Sequence, residues 1–232
     1  NTVPSRPILI RSLERHRASI VKTDRTYSDQ LPTPLLVSWI HHDNMLEGVM
    51  YGPDEIAQAI RNRDDELPRY LHPLMEEIRR YESAIKLVVR WSKRDTEVVT
   101  AATLRRIHKL LTVEDRDWPG EYRKTSPVHR DYFQHICAPT RIREMLEQVL
   151  RSGLNGIESA CDPVAFVADM HHRLMHVYPY RRNPGTTLRL LTNLFLMSRG
   201  YPPVILQAHQ RDAYYHALAS RSSAKLADLF AS

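Results

Sequence analysis

The sequence has few cysteines, few glycines and no long apolar run. The two cysteines, Cys137 and Cys161, are too few for a disulfide framework or a cysteine-based zinc site. Only 7 glycines and 8% aromatic residues argue against a glycine-rich all-β protein. No apolar run approaches the ~20 residues that cross a bilayer, and no signal-peptide pattern opens the chain. We therefore expect a cytoplasmic protein with free thiols and no membrane partner.

The residues that are present are typical of a globular protein. Hydrophobic residues make up 42% of the 232 residues and charged residues 26%, which is enough for one substantial core. The formal net charge is +6, but the basic residues are scattered, so nucleic acid is not indicated as a partner. The chain begins with Asn rather than Met, and we expect it to be a piece of a longer protein.

Helical periodicity dominates most of the chain. Apolar residues recur at helical spacing between turn and capping signals, such as Gly52-Pro53 and Asp162-Pro163. The pattern predicts helices that start at Asp54 and at Asp162-Pro163. It predicts further helices within residues 67–91, 100–111, 140–151, 188–197, 212–218 and 224–230. The prolines at 68 and 73 should delay or kink the helix within residues 67–91, and "SGLNG" should end the helix over 140–151.

Two segments depart from the helical pattern. Residues 1–37 carry scattered prolines and are predicted to form an N-terminal arm, which leaves 38–232 as one domain. Residues 119–139 open with Pro119-Gly120 and continue with short pieces that carry Tyr, Val and Phe, which predicts a turn and a small β-hairpin. The expected fold is therefore all-α, a helical bundle with a small β-hairpin flap.

Residues 176–189, "HVYPYRRNPGTTLR", have the composition of a phosphate-binding loop. They lead into an apolar helix, whose N-terminus offers unpaired N–H groups to an anion, and Gly185 allows close approach of the backbone. Arg189 lies on that apolar helix and needs a carboxylate or a phosphate. His176 could serve as a general base near neutral pH. A plain helix–loop–helix, with a satisfied histidine and a surface arginine, is the alternative on these residues alone.

Other histidines and the tryptophans carry weaker signals. His172 and His176 are spaced as metal ligands on one helical face, but a third ligand is lacking, and no metal site is predicted. His41, His42 and His171 are interpreted as partly exposed surface or capping residues. The three tryptophans are interpreted as core and loop anchors rather than stacking platforms: Trp39, Trp91 and Trp118.

Four segments, in the same order along roughly residues 39–218, resemble the Fic family. The segments are "LEGVMYGPDEI" at 46–56, "PGEYRKTSPV" at 119–128, "HHRLMHVYP" with "RLLTNLFLMSRGYPP" at 171–179 and 189–203, and "HQRDAYYHAL" at 209–218. Typical members transfer AMP from ATP to a hydroxyl of a target protein. The resemblance implies the Fic-type helical fold, ATP and Mg²⁺ as cofactors, a target protein that docks at the flap, and a possible homodimer.

The resemblance also implies roles for individual residues. The family's active-site loop reads H-x-F-x-(D/E)-G-N-G-R-x-x-R. His176 is assigned the position of its catalytic histidine, Asn183 and Gly185 the phosphate-binding Asn-Gly pair, and Arg189 the final arginine, which grips the γ-phosphate. Glu47 and Gly48, within an inhibitory segment at about 38–56, match the part of autoinhibited members that pairs with this arginine.

The loop departs from the family pattern in ways that matter for catalysis. His176 and Arg189 lie 13 positions apart where the family has 11, and Tyr180 stands in place of the acid that holds Mg²⁺. Pro184 removes a backbone donor from the phosphate cradle, and Asp43 stands where autoinhibited members have Ser or Thr. We expect impaired or altered AMP transfer. The alternatives are an inactive protein-binding or regulatory module, and transfer from another phosphate donor.

Overall fold

The computed structural model describes residues 31–62, 69–93, 99–112, 118–127, 136–156 and 159–231, which form nine α-helices and no strand. Three short 3₁₀ turns accompany them, at Arg69–Leu71, Pro139–Arg141 and Ala208–Gln210. The helices are α1 (Thr33–Leu46), α2 (Pro53–Arg61), α3 (His72–Trp91), α4 (Ala101–Leu111), α5 (Ile142–Gly156), α6 (Pro163–Val177), α7 (Pro184–Met197), α8 (Arg211–Ala219) and α9 (Ala224–Ala231).

The helices begin and end where the local sequence provides caps. The Asp162 side chain accepts a hydrogen bond from the Ala165 backbone N–H at 2.9 Å, and Pro163 occupies the first helical position of α6. Thr100 caps α4 in the same way at 3.2 Å. Gly200, at φ +78, follows the last turn of α7 in the left-handed conformation that ends many helices.

Helix α7 is the centre of the bundle. Every one of its 14 residues is buried, and it packs against α3, α4 and α6. Its leucines are at most 5% exposed, and each contributes roughly 2 kcal/mol through burial of apolar surface. Helix α1 packs on α2 and α3, and α9 packs along α6. A charged side chain on α7 is therefore forced into the protein interior.

The helix boundaries differ from the sequence predictions at three places. Helix α1 begins at Thr33, inside the predicted arm of residues 1–37, of which 1–30 lie outside the described residues. Helix α5 runs through "SGLNG" to Gly156, because Gly153 lets α5 approach α6: an added Cβ would lie 2.7 Å from Met170 Sδ. Helix α7 begins at Pro184, so only residues 178–183 of the predicted 176–189 loop are non-helical.

The predicted hairpin flap is described only in part. Residues 128–135 at its centre lie outside the described residues, and the described parts, 118–127 and 136–138, carry no strand. Trp118, at the start of this segment, was expected to be an anchor but is 64% exposed. Across the described part of the chain, every helix is too short or too polar to cross a membrane.

Candidate functional site

Arg189 lies inside the bundle and is held by two carboxylates from another helix. Its Nε and Nη2 donate to the two oxygens of Asp43, the Nη2 contact being 2.8 Å, and Nη2 also donates to Glu47 Oε1 at 2.9 Å. The side chains of Arg189 and Asp43 are 7% and 6% exposed, and that of Glu47 is 18% exposed. We call this set the carboxylate clamp: Asp43, Glu47 and Arg189.

Asp43 and Glu47 offset the free-energy cost of burying the charge of Arg189. Burial alone would lower the pKa of Arg189, but Asp43 and Glu47 outweigh burial and hold the pKa well above its usual range. Thr186, one turn before Arg189, donates its hydroxyl to Asp43 Oδ2 at 2.9 Å. Arg189 Nη1 is buried and has no hydrogen-bond partner among the described residues.

Gly185 allows Glu47 to reach the N-terminus of α7. A Cβ added at Gly185 would lie 2.1 Å from Glu47 Oε1 and 2.8 Å from Arg189 Nη1, so any side chain would expel the carboxylate. The first turn of a helix presents N–H groups without intrahelical partners and a partial positive charge. Glu47 therefore lies at the helix end where an anion binds well, with Arg189 beside it.

The end of α1 that carries Glu47 is fixed by α8. Arg211 Nε and Tyr215 Oη both donate to the Leu46 carbonyl, at 3.0 and 3.1 Å. Gly48 follows Glu47 with φ +81, a conformation that suits glycine, and the chain turns there toward α2. These contacts set the direction in which the Glu47 side chain leaves the helix.

A chain of buried polar groups leads from Arg189 to His171. The Arg189 guanidinium lies over the Tyr214 ring at 5.8 Å, and the Tyr214 hydroxyl donates to His171 Nε2 at 2.9 Å. His171 Nδ1 donates to the Thr192 hydroxyl at 2.8 Å, and Thr192 donates in turn to the Leu188 carbonyl. Burial, with the charge of Arg189, lowers the pKa of His171 to about 3, so the ring is neutral.

This position of His171 corrects the sequence interpretation. The side chain was expected at the surface or in a cap, but it is fully buried. Its partners lie 21 and 43 positions away in the sequence, on α7 and α8. No local pattern could indicate them.

His176 lies in the last turn of α6 rather than in the loop. Its Nδ1 donates to the His172 carbonyl at 2.8 Å, and the two rings lie 4.4 Å apart. His172 Nε2 in turn donates to the Ser220 carbonyl, beyond the end of α8. At 100° per residue, His176 is turned about 140° around the helix from His171, which faces α7 and Tyr214.

Tyr178 follows the last residue of α6 and caps the helix. It has a left-handed backbone, with φ +46, and its side chain is buried. Tyr178 lies seven positions after His171. At 100° per residue, it is therefore within about 20° of the helix face that His171 occupies. Tyr180, two residues later, is fully buried and stacks on His108 at 3.8 Å between ring centroids. Tyr180 therefore anchors the loop in the core.

Arg123 braces the start of the loop. Its guanidinium donates to the carbonyls of Tyr178 at 2.7 Å, Val177 at 3.3 Å and Cys137 at 2.5 Å. Burial lowers the pKa of Arg123, and the carbonyl oxygens take the place of water around its charge. The Arg123 backbone N–H also donates to the Pro179 carbonyl at 2.9 Å. The described part of the flap segment is thus fastened to the loop.

Asn183, which the resemblance assigns to phosphate binding, contacts helix α4. It lies at the N-cap position of α7 with φ +48, and its Nδ2 donates to the Leu111 carbonyl of α4 at 3.1 Å. Its own carbonyl accepts the N–H and the hydroxyl of Thr187. The structure therefore brings together Glu47, Gly185 and Arg189, while Asn183 joins the loop to α4.

The residues of the loop do not fit Mg²⁺. No acid occurs between His176 and Arg189, and Tyr180, at the position assigned to the acid, is enclosed in the core. Magnesium prefers carboxylate, phosphate and water oxygens in octahedral geometry. The carboxylates of Asp43 and Glu47, which lie beside helix α7, are engaged by Arg189. No step of the chemistry is therefore assigned to a metal ion.

Comparison with known proteins finds relatives that are named protein adenylyltransferase Fic. The chain is 37% identical over 100 residues to a protein adenylyltransferase Fic of Drosophila grimshawi, covering 43% of this chain and 20% of that protein. It is 32% identical over 144 residues to a protein adenylyltransferase Fic of Culex quinquefasciatus, covering 61% of this chain and 28% of that protein. The chain thus spans less than a third of the length of these relatives. No family model matches it.

Solved structures share the fold. A Fic domain containing signaling protein from Bacteroides thetaiotaomicron gives a TM-score of 0.70 at 17% identity, over 90% of this chain and 80% of that one. Fic-1 from C. elegans gives 0.71 at 18% identity, over 97% and 67%. A Bartonella tribocorum effector protein with bound AMPPNP gives 0.52 at 20% identity, over 68% and 86%.

The solved structures show the class of fold: this chain has a helical fold of the Fic type. In sequence it is similar to protein adenylyltransferases Fic.

Proposed function

We propose that this chain is the Fic domain of a protein of the adenylyltransferase type. Its ATP site is closed by Asp43 and Glu47 on Arg189, and its transfer of AMP to a protein hydroxyl is impaired. One observation carries the proposal: Arg189 meets the Glu47 carboxylate beside Gly185, at the N-terminus of α7. The names of the curated relatives, and the AMPPNP bound to the Bartonella protein, support ATP as the ligand.

The Glu47 carboxylate and a nucleotide phosphate would compete for the same hydrogen-bond donors. The Glu47 carboxylate accepts from Arg189 Nη2 and lies against Gly185. A terminal phosphate of ATP needs the same cation and the same helix end. Arg189 Nη1, which has no described partner, offers one further donor beside Gly185. Displacement of the two carboxylates by phosphate would therefore keep the buried arginine neutralised, which supports autoinhibition at this site.

AMP transfer needs a base at the start of the loop. The base takes the proton of the target hydroxyl, the hydroxyl oxygen bonds to the α-phosphorus of ATP, and the bond to pyrophosphate breaks. Sequence alignment with a two-residue insertion assigns the base to His176. The orientation of His176 on α6, about 140° from the face of His171, disfavours that assignment.

We infer that the loop has no insertion and that Tyr178 stands at the base position. Tyr178 and Arg189 lie 11 positions apart, the spacing of the family motif, and Tyr180 then takes the place of its buried Phe. In this register Arg182 replaces the metal-binding acid and Pro184 the Asn, while Gly185 and Arg189 keep their positions. A phenol is a weaker general base than an imidazole at neutral pH, which supports impaired transfer.

The test opens the clamp and measures binding and transfer separately. The double variant Asp43→Ser/Glu47→Gly is called the opened variant. Its ATP binding is measured by calorimetry, and its transfer of AMP is measured by labelling with ATP that carries the isotope at the α-phosphate. We expect binding at least ten-fold tighter than that of the wild-type chain, with slow labelling. Loss of binding on adding Arg189→Ala is the control. Absence of ATP binding in the opened variant would overturn the proposal.

Substitutions at the two candidate bases test the register. In the opened variant, Tyr178→His should speed labelling, whereas His176→Ala should leave it unchanged. The opposite pattern would restore the assignment of the base to His176. Both substitutions are compared with Asp43→Ser/Glu47→Gly as the reference. ATP affinity is measured for all three proteins, so that a change in labelling rate is separated from a change in binding.

The second candidate function is a regulatory module without catalysis. The replacement of the motif's histidine and acid by Tyr178 and Arg182 favours it. This candidate predicts that the opened variant gives no labelled protein in a single-turnover reaction, even when ATP binds. Slow labelling that depends on Arg189 would exclude it.

A further inference from the structure

We infer that Asp43, rather than Glu47, is the primary lock on Arg189 in this chain, so that release of Glu47 alone does not open the anion site. The inference rests on the proposed function and concerns the regulation of the same site. It assigns Asp43 a role that the sequence comparison with the family gives only as a departure from Ser or Thr.

The hydrogen bonds of the clamp are unequal. Asp43 accepts from both Nε and Nη2 of Arg189 through its two oxygens, the paired geometry that makes guanidinium–carboxylate contacts strong. Glu47 accepts a single bond, from Nη2, which Asp43 also engages. Removal of Glu47 therefore leaves the paired contact to Asp43 intact.

The surroundings of the two carboxylates are also unequal. Asp43 lies within α1, one turn before its end, and its side chain is 6% exposed. The Thr186 hydroxyl donates to Asp43. Burial raises the pKa of Tyr81, and the nearby charge of Asp43 raises it further. Glu47 follows the last residue of α1 and is 18% exposed. A side chain at a helix end, next to Gly48, can turn away at lower cost than one enclosed within the helix bundle.

The charges of the clamp lead to the same conclusion. Asp43, Glu47 and Arg189 together carry one net negative charge, which repels a phosphate. Without Glu47 the set is neutral, because Asp43 still cancels the charge of the guanidinium. Only the loss of both carboxylates gives the site the positive charge that binds a polyphosphate in a buried position.

Two isosteric variants test the order of the carboxylates without any nucleotide. Asp43→Asn and Glu47→Gln keep the shape of each side chain and remove its charge, and thermal unfolding is measured for both. We expect Asp43→Asn to lower the Tm by at least twice as much as Glu47→Gln, because only the former leaves the buried arginine without its paired acceptor. An equal or larger loss in Glu47→Gln would overturn the inference.

Binding of ATP and of tripolyphosphate gives a second test that does not need a folded Asp43→Asn variant. We expect Glu47→Gly to bind both within three-fold of the wild-type chain, and Asp43→Ser/Glu47→Gly to bind at least ten-fold tighter. Glu47→Gly that binds as tightly as the double variant would contradict the role of Asp43. If neither variant binds, the proposed ATP site fails, and the order of the Tm losses still decides whether Asp43 is the stronger partner of Arg189.

Discussion

The buried Arg189 is neutralised and positioned by the groups around it. A buried guanidinium must be neutralised, and the chain provides two carboxylates, the Thr186 hydroxyl and the face of the Tyr214 ring around it. Behind Tyr214, the neutral His171 ring completes the hydrogen bonding of the tyrosine hydroxyl. The position of the arginine therefore depends on groups from α1, α6, α7 and α8.

The buried His171 should make the protein sensitive to acid. Its pKa of about 3 in the folded protein lies below the usual 6.5, so below pH 6.5 only the unfolded chain takes up this proton. The contribution of His171 is complete above pH 6.5 and is lost as the pH falls toward 3. We expect it to lower the free energy of unfolding by about 2 kcal/mol at pH 5 relative to pH 7.

Denaturant unfolding of the wild-type chain and His171→Gln across this pH range checks the expectation. The variant should be less stable at pH 7, and its stability should fall less between pH 7 and pH 5. Parallel pH profiles for the two proteins would show that His171 is not the titrating group.

The residues of the site were predictable only where a motif names them. Glu47, Gly185 and Arg189 follow from the family resemblance, and their structural contacts agree with one another. The contact of Asp43 with Arg189 could not be predicted, because the two residues lie 146 positions apart and nothing in the local sequence indicates that their side chains meet. His171 was missed for the same reason.

The loop between α6 and α7 is held by the segment that follows α4. Arg123 donates to the carbonyls of Val177 and Tyr178, at the end of α6 and the start of the loop, and to the carbonyl of Cys137 in the flap segment. The Cys137 N–H donates to the His176 carbonyl at 3.0 Å. Backbone carbonyls at a helix C-terminus have no helical partners, and a guanidinium fork satisfies several of them at once. The sequence indicated only that Arg123 lies in the segment 119–128, which resembles the Fic family; it did not indicate which groups Arg123 contacts.

Replacement of this arginine tests the brace. Arg123→Lys keeps the charge but loses the fork, so we expect a loss of about 2 kcal/mol or more in the free energy of unfolding. Arg106→Lys on the exposed face of α4 is the matched control and should change stability by less than about 0.5 kcal/mol. Similar small effects of both substitutions would mean that Arg123 does not hold the loop.

Most helices were predictable because their ends carry explicit signals. Asp162-Pro163 and Thr100 mark helix starts by capping, and the structure has α6 and α4 there. The continuation of α5 through "SGLNG" was not predictable, because the close approach of α6 to Gly153 decides it. The early start of α7 depends on Asn183, whose contact with α4 is likewise tertiary.

As a whole, the molecule is a helical bundle built around one apolar helix that carries a single buried arginine. Its relatives and fold neighbours belong to the Fic family, and it spans only a part of the length of the curated relatives. The homodimer and the docking of a target protein at the flap stay predictions from the resemblance. The central claim is that this chain keeps the anion site of the family and closes it with its own carboxylates.

A crystal structure of Asp43→Ser/Glu47→Gly grown with ATP tests this claim most directly. The account predicts the triphosphate at the N-terminus of α7, with a terminal phosphate oxygen within hydrogen-bond distance of the Arg189 guanidinium and beside Gly185. ATP bound elsewhere, or an Arg189 side chain that turns to another protein acceptor while the α7 N-terminus holds no phosphate, would contradict it.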